Sequence, residues 1–278
     1  MVLYLIGIGL YGVKDISVRG LEIVKSCDFI FMEYYTSILG VGVDELSKFY
    51  EKEIILADRE MIENDFDEKI LEKAKKHQVA LLVVGDPFSA TTHIDLYTRA
   101  IHEGVKIEVL NNASIMNSCG ISGLSLYRFG ETVSIPYFTE TWKPYSFLDK
   151  IIKNIKNDFH TLVLLDIKVK EISEENLGKG KKSYEKSRFM SINIGLSQIV
   201  EAEENLKSGL LDLDSIVIGL ARVGAPDQKV VSGKIRDLLN FDFGGPLHSL
   251  VIPAPGLHSM EKEMIDIYNW ENSDKLNK

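Results

Sequence analysis

The amino-acid sequence predicts an α/β protein with two domains, a mostly parallel N-terminal sheet followed by a C-terminal domain with a mixed sheet. Its 278 residues suit two modest domains, and 45% apolar with 26% charged residues is ordinary for a folded chain. Short apolar segments alternate with amphipathic ones over residues 1–112, which indicates parallel strands covered by helices. The helical segments then lengthen, so we predict domains at 1–112 and 113–278.

The strand on which this prediction centres lies at residues 79–84, where six side chains in succession are apolar or nearly so. A run without polar alternation indicates a strand buried on both faces. The strand ends in a Gly-Asp-Pro turn, in which Pro87 restricts Asp86 to an extended conformation. Ligands of open α/β sheets bind beyond the carboxyl ends of the strands, so we expect a ligand beside Asp86. A solvated turn that only begins a helix is the alternative.

Hydrophobic periodicity, capping residues and turn residues predict the remaining elements in order. In the first domain, Asp15 or Ser17 caps the first helix, and Ser89 and Thr91 cap a later one. The other predicted strands of this domain are 2–8, 29–32, 53–56 and 105–110, and its other helices are 43–50, 66–76 and 92–103. In the second domain we predict strands at 131–135, 160–166, 215–220 and 248–252, and helices at 114–127, 145–157, 191–207, 233–239 and 257–270.

A Gly-x-Gly-x-x-Gly pattern at residues 7–12 follows the first strand, and Glu33 stands 21 positions beyond it, as in a dinucleotide-binding fingerprint. Two features argue against a nicotinamide cofactor. The third glycine of that fingerprint lies inside the helix, whereas here the capping residues come after Gly12. Leu10 and Tyr11 also occupy the positions where the backbone must approach a pyrophosphate. No Gly-Lys-Ser/Thr follows, so the pattern is not a P-loop either.

Composition excludes several classes of protein. A net charge of −9 disfavours binding along a phosphate backbone, so no direct contact with nucleic acid is expected. The two cysteines, Cys27 and Cys119, have no CxxC partner and are predicted to be buried thiols in a reducing compartment. The histidines show no ligand spacing, so no metal site is predicted. The N-terminus resembles a strand and not a signal peptide, and no apolar run is long enough for a membrane span, which together favour a cytoplasmic location.

One local exception to the acidic charge is the segment 168–188, which holds seven lysine or arginine residues against four glutamates. A solvated insertion explains such a segment, and a basic arm that contacts a partner is the sharper interpretation.

Six motifs, which span nearly the whole chain in order, resemble those of the diphthine synthases in the tetrapyrrole methylase superfamily. They are GIGL at 7–10, GDPFSATTH at 85–93, NNASIMN at 111–117, LLDIKVKE at 164–171, GLARVGAPDQK at 219–229 and PLHSLVIP at 246–253. Three segments are more similar to the eukaryotic type than to the archaeal type. They are residues 168–188, YTSILGVG at 35–42 and FGETVSIP at 129–136.

The resemblance implies a two-domain methyltransferase of the tetrapyrrole-methylase-like fold. It implies a homodimer in which S-adenosylmethionine lies in the cleft between domains and leaves as S-adenosylhomocysteine. It also implies a protein substrate, elongation factor 2, whose modified histidine carries a 3-amino-3-carboxypropyl group. The eukaryotic type would methylate the amine three times and the carboxylate once, as a step of diphthamide biosynthesis.

The family's cofactor contacts fall on eight positions of this sequence: Leu10, Asp86, Ser89, Ser114, Ile115, Leu165, Val223 and His248. An adenosine with an amino-acid tail needs apolar walls and a few polar partners, which these residue types can supply. The four aliphatic residues are equally compatible with a plain core role. Ser89 is expected to contribute a backbone contact, and a structural histidine is the alternative for His248.

Catalysis of methyl transfer consists mainly of in-line positioning and exclusion of water, because the sulfonium is already a reactive donor. The amine must lose a proton, so His93, Asp166 and His160 are candidate bases, and no catalytic residue is assigned. Arg222 and Lys168 are candidates to bind the substrate carboxylate, although Arg222 is equally suited to an ion pair that bridges the domains.

The competing hypotheses are a superfamily methyltransferase that acts on a tetrapyrrole or on ribosomal RNA, and a nucleotide-sensing module without turnover. An RNA enzyme would need a more basic surface, and a tetrapyrrole enzyme would need clustered arginines, whereas those of this chain are scattered.

Neutralising Lys179, Lys181 and Lys182 together to glutamine is expected to raise KM for the protein substrate several-fold, because a basic arm would lose its attraction for an acidic partner surface. The affinity for S-adenosylmethionine, measured by calorimetry, should not change. The matched control neutralises the other lysine cluster, Lys73, Lys75 and Lys76. An equal KM for both triple variants would return the segment to the solvated-insertion interpretation.

Overall fold

The computed structural model describes residues 1–169 and 186–272, so Lys179, Lys181 and Lys182 lie outside the described residues. The described chain divides into two compact units. Unit 1 comprises residues 1–116 with Val169, and unit 2 comprises residues 117–168 and 186–272. Each has its own buried hydrophobic core.

Unit 1 contains a five-stranded parallel sheet, which confirms the predicted class of the N-terminal domain. The strands are β1 (Val2–Gly7), β2 (Phe29–Glu33), β3 (Ile54–Ala57), β4 (Gln78–Val83) and β5 (Lys106–Leu110), in the order β3-β2-β4-β1-β5. The predicted buried strand is β4, which lies in the middle of the sheet and pairs Leu81 with Leu5 on one side and Phe31 on the other. Parallel strands buried on both faces require such uninterrupted apolar sequences.

The helices of unit 1 follow the prediction with local differences. Ser17 caps the first one, since its Oγ accepts a hydrogen bond from the Gly20 N–H at 3.0 Å. The predicted helix at 66–76 is π-helical over Asp67–Leu71 before its α-helical turn. The α-helices are α1 (Val18–Ser26), α2 (Val43–Tyr50), α3 (Arg59–Glu63), α4 (Glu72–Ala74) and α5 (Ile94–His102).

The prediction that Ser89 and Thr91 cap α5 is wrong for both residues, because His93 occupies the N-cap position and no side chain caps this helix. The Ser89 hydroxyl donates to the Asp86 carboxylate instead, at 3.1 Å. The Thr91 hydroxyl donates to the Pro87 carbonyl at 2.7 Å and lies 3.4 Å from the His93 N–H. The turn therefore uses these side chains to hold its own shape, and α5 begins at Ile94.

Unit 2 contains the predicted mixed sheet, in the order β11-β10-β12-β7-β6. Its strands are β6 (Val133–Ile135), β7 (Thr161–Leu165), β10 (Ile216–Ala221), β11 (Lys229–Lys234) and β12 (His248–Ile252), with a separate pair formed by β8 (Ile167–Lys168) and β9 (Arg188–Phe189). Only β6 and β7 run parallel to each other, and the other neighbours in the five-stranded sheet are antiparallel.

Two helix predictions in the second half are wrong in extent. The helix expected at 114–127 is the single turn α6 (Ile115–Ser118), followed by 3-10 turns at Cys119–Ser122 and Leu126–Arg128. The helix expected at 233–239 begins at Ile235, because the residues before it form the edge strand β11. The remaining helices are α7 (Ser146–Lys156), α8 (Ile192–Leu206), α9 (Ile235–Leu238) and α10 (Ser259–Ile267).

Both cysteines lie buried as free thiols, as predicted. Burial raises the pKa of each to about 11, which keeps them protonated at neutral pH.

A buried glutamate on α10 forms hydrogen bonds with other parts of unit 2. Glu261 is 2% exposed, and its oxygens accept hydrogen bonds from the Ser125 and His258 N–H groups, Arg128 Nη1 and His160 Nε2 at 2.9–3.1 Å. The other ring nitrogen of His160, Nδ1, accepts from the Ala254 N–H at 2.8 Å. Both nitrogens of His160 are therefore engaged in the fold, which argues against its candidate role as a base.

This network predicts an acid-sensitive contribution to stability. Burial alone would raise the pKa of Glu261, but its hydrogen bonds lower the pKa to about 2 from an ordinary 4.5. Because the folded-state pKa is depressed, the stabilisation is present above about pH 4.5 and is lost as the pH falls towards about 2. Glu261→Gln should remove a pH-dependent term on the order of 3 kcal/mol from the free energy of unfolding, measured by denaturant titration across that range.

Glu263→Gln is the matched control for that measurement, because Glu263 lies exposed on the same helix. A pH dependence that is the same in wild type and Glu261→Gln would contradict the assignment.

Candidate functional site

The carboxyl edge of the unit 1 sheet is where three neighbouring strands, β4, β1 and β5, end in polar loops. The loops after β1 and β4 are joined by two backbone hydrogen bonds, from the Gly85 N–H to the Gly9 carbonyl at 2.7 Å and from the Gly9 N–H to the Gly85 carbonyl at 3.3 Å. A Cβ atom on Gly7 would lie 2.6 Å from the Gly85 carbonyl oxygen, so only glycine permits this approach. The edge is thus a closely packed surface of backbone.

Asp86 is the residue that ties these loops together. It is 6% exposed, and its Oδ1 accepts from the Phe88 N–H at 2.9 Å and the Ser89 hydroxyl at 3.1 Å. Its Oδ2 accepts from the Asn111 side chain at 2.9 Å and the Asn112 N–H at 3.0 Å. All four acceptor positions of the carboxylate are therefore filled by the chain itself.

The charge on Asp86 is stable at neutral pH. Burial by itself raises the pKa of this carboxyl, but the hydrogen bonds from the two loops outweigh it and hold the pKa below its usual range. The sequence predicted a carboxylate facing a ligand. In the structure the carboxylate fixes the β4 and β5 loops in register, and a ligand beside it stays a prediction.

Asn112 completes the connection of this edge, and sequence reasoning missed it. Its side-chain amide donates to the Gly7 carbonyl and the Asp15 carbonyl, each at 2.9 Å, while its own N–H donates to Asp86. One residue therefore links the loops after β1 and β5. The Asn-Asn pair directly after a predicted strand was the available signal, since short amides favour such local hydrogen bonding.

The other unit 1 positions predicted to bind the cofactor lie on the same edge. Leu10 and Ile115 are half-buried aliphatic side chains after β1 and β5. Ser114 is 5% exposed, and its hydroxyl lies 3.2 Å from the Met116 N–H at the start of α6. A Cβ atom on Gly85 would lie 3.5 Å from the Cβ atom of Ser114, so the β4 and β5 loops are also close here. Apolar walls beside rigid backbone are the surroundings that an adenosine requires.

Unit 2 likewise brings its three predicted positions to one edge of its sheet. Leu165 ends β7, Val223 follows β10, and His248 begins β12, which lies antiparallel between those two strands. Leu165 is buried, and Gly195 of α8 leaves room for it, because a Cβ there would lie 2.7 Å from a Leu165 methyl carbon. Val223 is half-buried.

His248 has a structural role in unit 2. Its Nε2 donates to the Gly245 carbonyl at 2.9 Å, and its Nδ1 accepts from the Ile192 N–H at 3.3 Å, at the start of α8. This pattern requires the neutral imidazole, and burial lowers the pKa of the ring accordingly. Any contact of His248 with a ligand would therefore be through the ring face or edge.

Arg222 pairs with Asp227 of its own unit, and its candidate role in binding the substrate carboxylate stays a prediction. Its Nε donates to Asp227 at 2.6 Å, Nη1 donates to the Phe243 and Gly245 carbonyls, and Nη2 donates to the Asp227 carbonyl. Four of its five N–H groups are thus engaged within unit 2. Arg222 fixes the loop after β10, on which Val223 lies.

The glycine pattern at residues 7–12 does not present a phosphate cradle. The Asp15 carboxylate accepts from the Tyr11 and Gly12 N–H groups, both at 2.9 Å, so these donors are occupied by a side chain. Glu33, which could have been a ribose-binding acid, is fully buried. Its oxygens accept from the N–H groups of Tyr35 and Thr36 and from the Thr36 hydroxyl.

His93 is unusual at this edge, where the Tyr35 hydroxyl is also buried without a hydrogen-bond partner within the described residues. His93 is 1% exposed, and neither ring nitrogen has a hydrogen-bond partner within the described residues. Burial lowers the pKa of the imidazole, and the neighbouring Glu33 carboxylate and Pro87 carbonyl oppose that shift only in part. From the sequence, His93 was one of three candidate bases, and nothing in the sequence favoured it over the other two.

Among the described residues, no helix combines the length and the apolar character needed to cross a bilayer.

Comparison with known proteins assigns this architecture to a class. Residues 2–239 match the family model described as tetrapyrrole (corrin/porphyrin) methylases. The chain is therefore a methylase of that family.

More similar relatives narrow the assignment. The diphthine methyl ester synthases of Bos taurus and Homo sapiens are each 50% identical to this chain, over 98% of its length and 97% of theirs. A crystal structure described as a putative diphthine synthase from Entamoeba histolytica superposes with a TM-score of 0.86 at 47% identity, covering 97% of this chain and 98% of that one. A second diphthine synthase structure gives a TM-score of 0.81 at 31% identity, covering 99% and 100%. Within the methylases, the chain belongs to the diphthine methyl ester synthase family.

Proposed function

We propose that this protein transfers methyl groups from S-adenosylmethionine to the 3-amino-3-carboxypropyl group on a histidine of elongation factor 2. The product is the trimethylated amine with a methyl ester, and the step belongs to diphthamide biosynthesis. Full-length identity of about one half to proteins named for this ester supports the proposal. The eukaryotic relatives favour the type that also esterifies the carboxylate.

The edge of unit 1 is the proposed binding surface for the adenosine and methionine portions of the cofactor. The observation that supports it is the set of hydrogen bonds accepted by Asp86, which hold the loops after β4 and β5 in place beside Leu10 and Ile115. A preorganised surface binds a flexible ligand with less loss of entropy than a mobile loop does. Ser89 would contribute its backbone, since its hydroxyl is directed to Asp86. Leu165, Val223 and His248 are the proposed cofactor contacts of unit 2.

The chemistry divides into two kinds of step. S-adenosylmethionine supplies an electrophilic methyl group on a sulfonium when it is bound. Each of the three methylations at nitrogen releases one proton. An ammonium has no lone pair, so it must become an amine before it can attack. The final methylation at the carboxylate releases none. The protein must orient both acceptors in line with the methyl group, and it must remove protons for only one of them.

The proposal includes a homodimer in the cytoplasm, with elongation factor 2 as the protein partner. The family resemblance implies the dimer, and the buried free cysteines suit a reducing compartment.

Intact-mass analysis tests the proposed function directly. Purified protein with S-adenosylmethionine is expected to add four methyl groups to aminocarboxypropylated elongation factor 2, about 14 Da each, and none to the unmodified factor. Acceptance of a tetrapyrrole or ribosomal RNA, with no transfer to the modified factor, would contradict the proposal and favour another superfamily substrate. Binding of the cofactor without transfer to any acceptor would indicate a sensing module.

Asp86→Ala is expected to lower the free energy of unfolding by about 2–4 kcal/mol, because the hydrogen-bond donors of both loops lose a buried acceptor. The affinity for S-adenosylmethionine, measured by calorimetry, should fall at least tenfold. Asp95→Ala is the matched control, since Asp95 is exposed in the first turn of α5 and pairs only with Arg99 in an exposed ion pair. Unchanged cofactor affinity in Asp86→Ala would exclude this edge as the binding surface.

A further inference from the structure

The carboxyl edge of unit 1 contains a second polar cluster that the proposed cofactor contacts do not use. Glu33 ends β2, directly beside β4, and His93 stands at the end of the loop that follows β4. Glu33 is 0% and His93 1% exposed. The field of the Glu33 carboxylate reaches the imidazole, although no hydrogen bond joins them.

The two unpartnered nitrogens of His93 are the unusual feature of this cluster. A buried polar group without a partner is energetically costly, and native structures contain few of them. The other two buried histidines of the described chain, His160 and His248, have both ring nitrogens bonded. A group held without partners in its own fold is suited to a partner that a substrate supplies, since catalytic hydrogen bonds often form only in the complex.

Glu33 is held so that it can stabilise a positive charge. Its Oε1 accepts two backbone hydrogen bonds, from Tyr35 at 2.7 Å and Thr36 at 2.6 Å, and its Oε2 accepts only the Thr36 hydroxyl at 2.6 Å. The carboxylate is therefore fixed in place with one acceptor position left. A buried carboxylate near an imidazole favours the imidazolium form through its charge.

The other candidate bases are weaker on the same criteria. His160 is fully engaged with Glu261 and the Ala254 N–H. Asp166 accepts from the Tyr137 N–H at 3.0 Å, so its carboxylate is partly engaged in the fold of unit 2. His93 is also on the same loop as Asp86 and Ser89, which ties it to the proposed cofactor surface.

We propose that His93 is the proton acceptor for methylation of the substrate amine and that Glu33 stabilises the imidazolium. The proposal rests on the function proposed above. In each N-methylation step, an N–H bond of the substrate ammonium breaks, its electron pair stays on the substrate nitrogen, and the proton bonds to a ring nitrogen of His93. The nitrogen lone pair then attacks the methyl carbon, and the C–S bond breaks towards sulfur. The proton leaves His93 for solvent before the next transfer. The ester-forming step requires none of this, because a carboxylate already has its electron pair.

The two kinds of acceptor make the proposal testable within one enzyme. The experiment compares elongation factor 2 that carries the aminocarboxypropyl group with the same factor whose amine already bears three methyl groups, which can only be esterified. His93→Gln is expected to slow N-methylation by about 100-fold at neutral pH while esterification stays within about twofold of wild type. His102→Gln, the same change at an exposed position of α5, should alter neither rate.

The pH profile provides a readout that a structural role would not move. In wild type the N-methylation rate should level off near neutral pH, whereas in His93→Gln it should continue to rise to about pH 9, as solvent takes over removal of the proton. Glu33→Gln removes the charge and keeps one oxygen that can accept from the Tyr35 and Thr36 N–H groups, while its NH2 group faces the Thr36 hydroxyl oxygen. It should slow N-methylation by a smaller factor, spare esterification, and serve as the test if His93→Gln does not fold in a thermal melt.

Equal slowing of both reactions in the folded variants, or no slowing of N-methylation, would overturn the role of His93. Absence of methyl transfer by the wild-type protein to either form of the factor would instead refute the proposed function, so the two failures are distinguishable.

Discussion

The fold of the candidate site depends on one buried carboxylate, Asp86. A charge at 6% exposure is tolerable only when its lost hydration is replaced, and here four donors from two loops replace it. The loops after β4 and β5 would otherwise leave backbone N–H groups unpaired where the sheet ends. The carboxylate satisfies Phe88 and Asn112 at once, and so fixes their spacing. The edge that a cofactor would meet is therefore set before any ligand binds.

The same arrangement recurs in both units, which points to a general constraint of this fold. Glu261 joins α10 to the chain around Ser125, and Glu33 closes the turn after β2. Arg222 does the converse, as a cation that binds carbonyl groups around the β10 loop. Loops at sheet ends carry backbone groups that no strand can pair, so a buried ion with several contacts is an effective way to order them. These charged side chains bind backbone groups of their own unit, and the groups that they use for this purpose are not available to a ligand.

The sequence predicted well whatever depends on local apolar pattern. The strands β4 and β12 were recognised from their mostly apolar sequences, and Ser17, one of the two residues predicted as a possible cap, does cap α1. The prediction failed where tertiary packing determines the secondary structure. The helix predicted from Ser114 is replaced by short turns, and the 3-10 turn Cys119–Ser122 ends at Gly123, which has a φ of +81° and leaves no space for a Cβ atom beside Met264. The edge strand β11 mixes polar and apolar residues and resembles a loop. At the site, the sequence identified Asp86 but not its partner Asn111, because 25 positions separate them.

Histidines show most clearly what a sequence does not contain. His93, His160 and His248 were all candidates for function on residue type, and burial alone does not separate them, since all three are at least nine-tenths buried. Their hydrogen bonds distinguish His93 from the other two. Two of them complete the fold with both nitrogens, and a change in their protonation would break a structural contact. His93 can gain a proton without losing any hydrogen bond, and it has a fixed carboxylate near it to stabilise that charge. An enzyme that methylates both an amine and a carboxylate needs a base for the amine and none for the carboxylate. A buried imidazole that can take up a proton without breaking a structural contact fits that requirement.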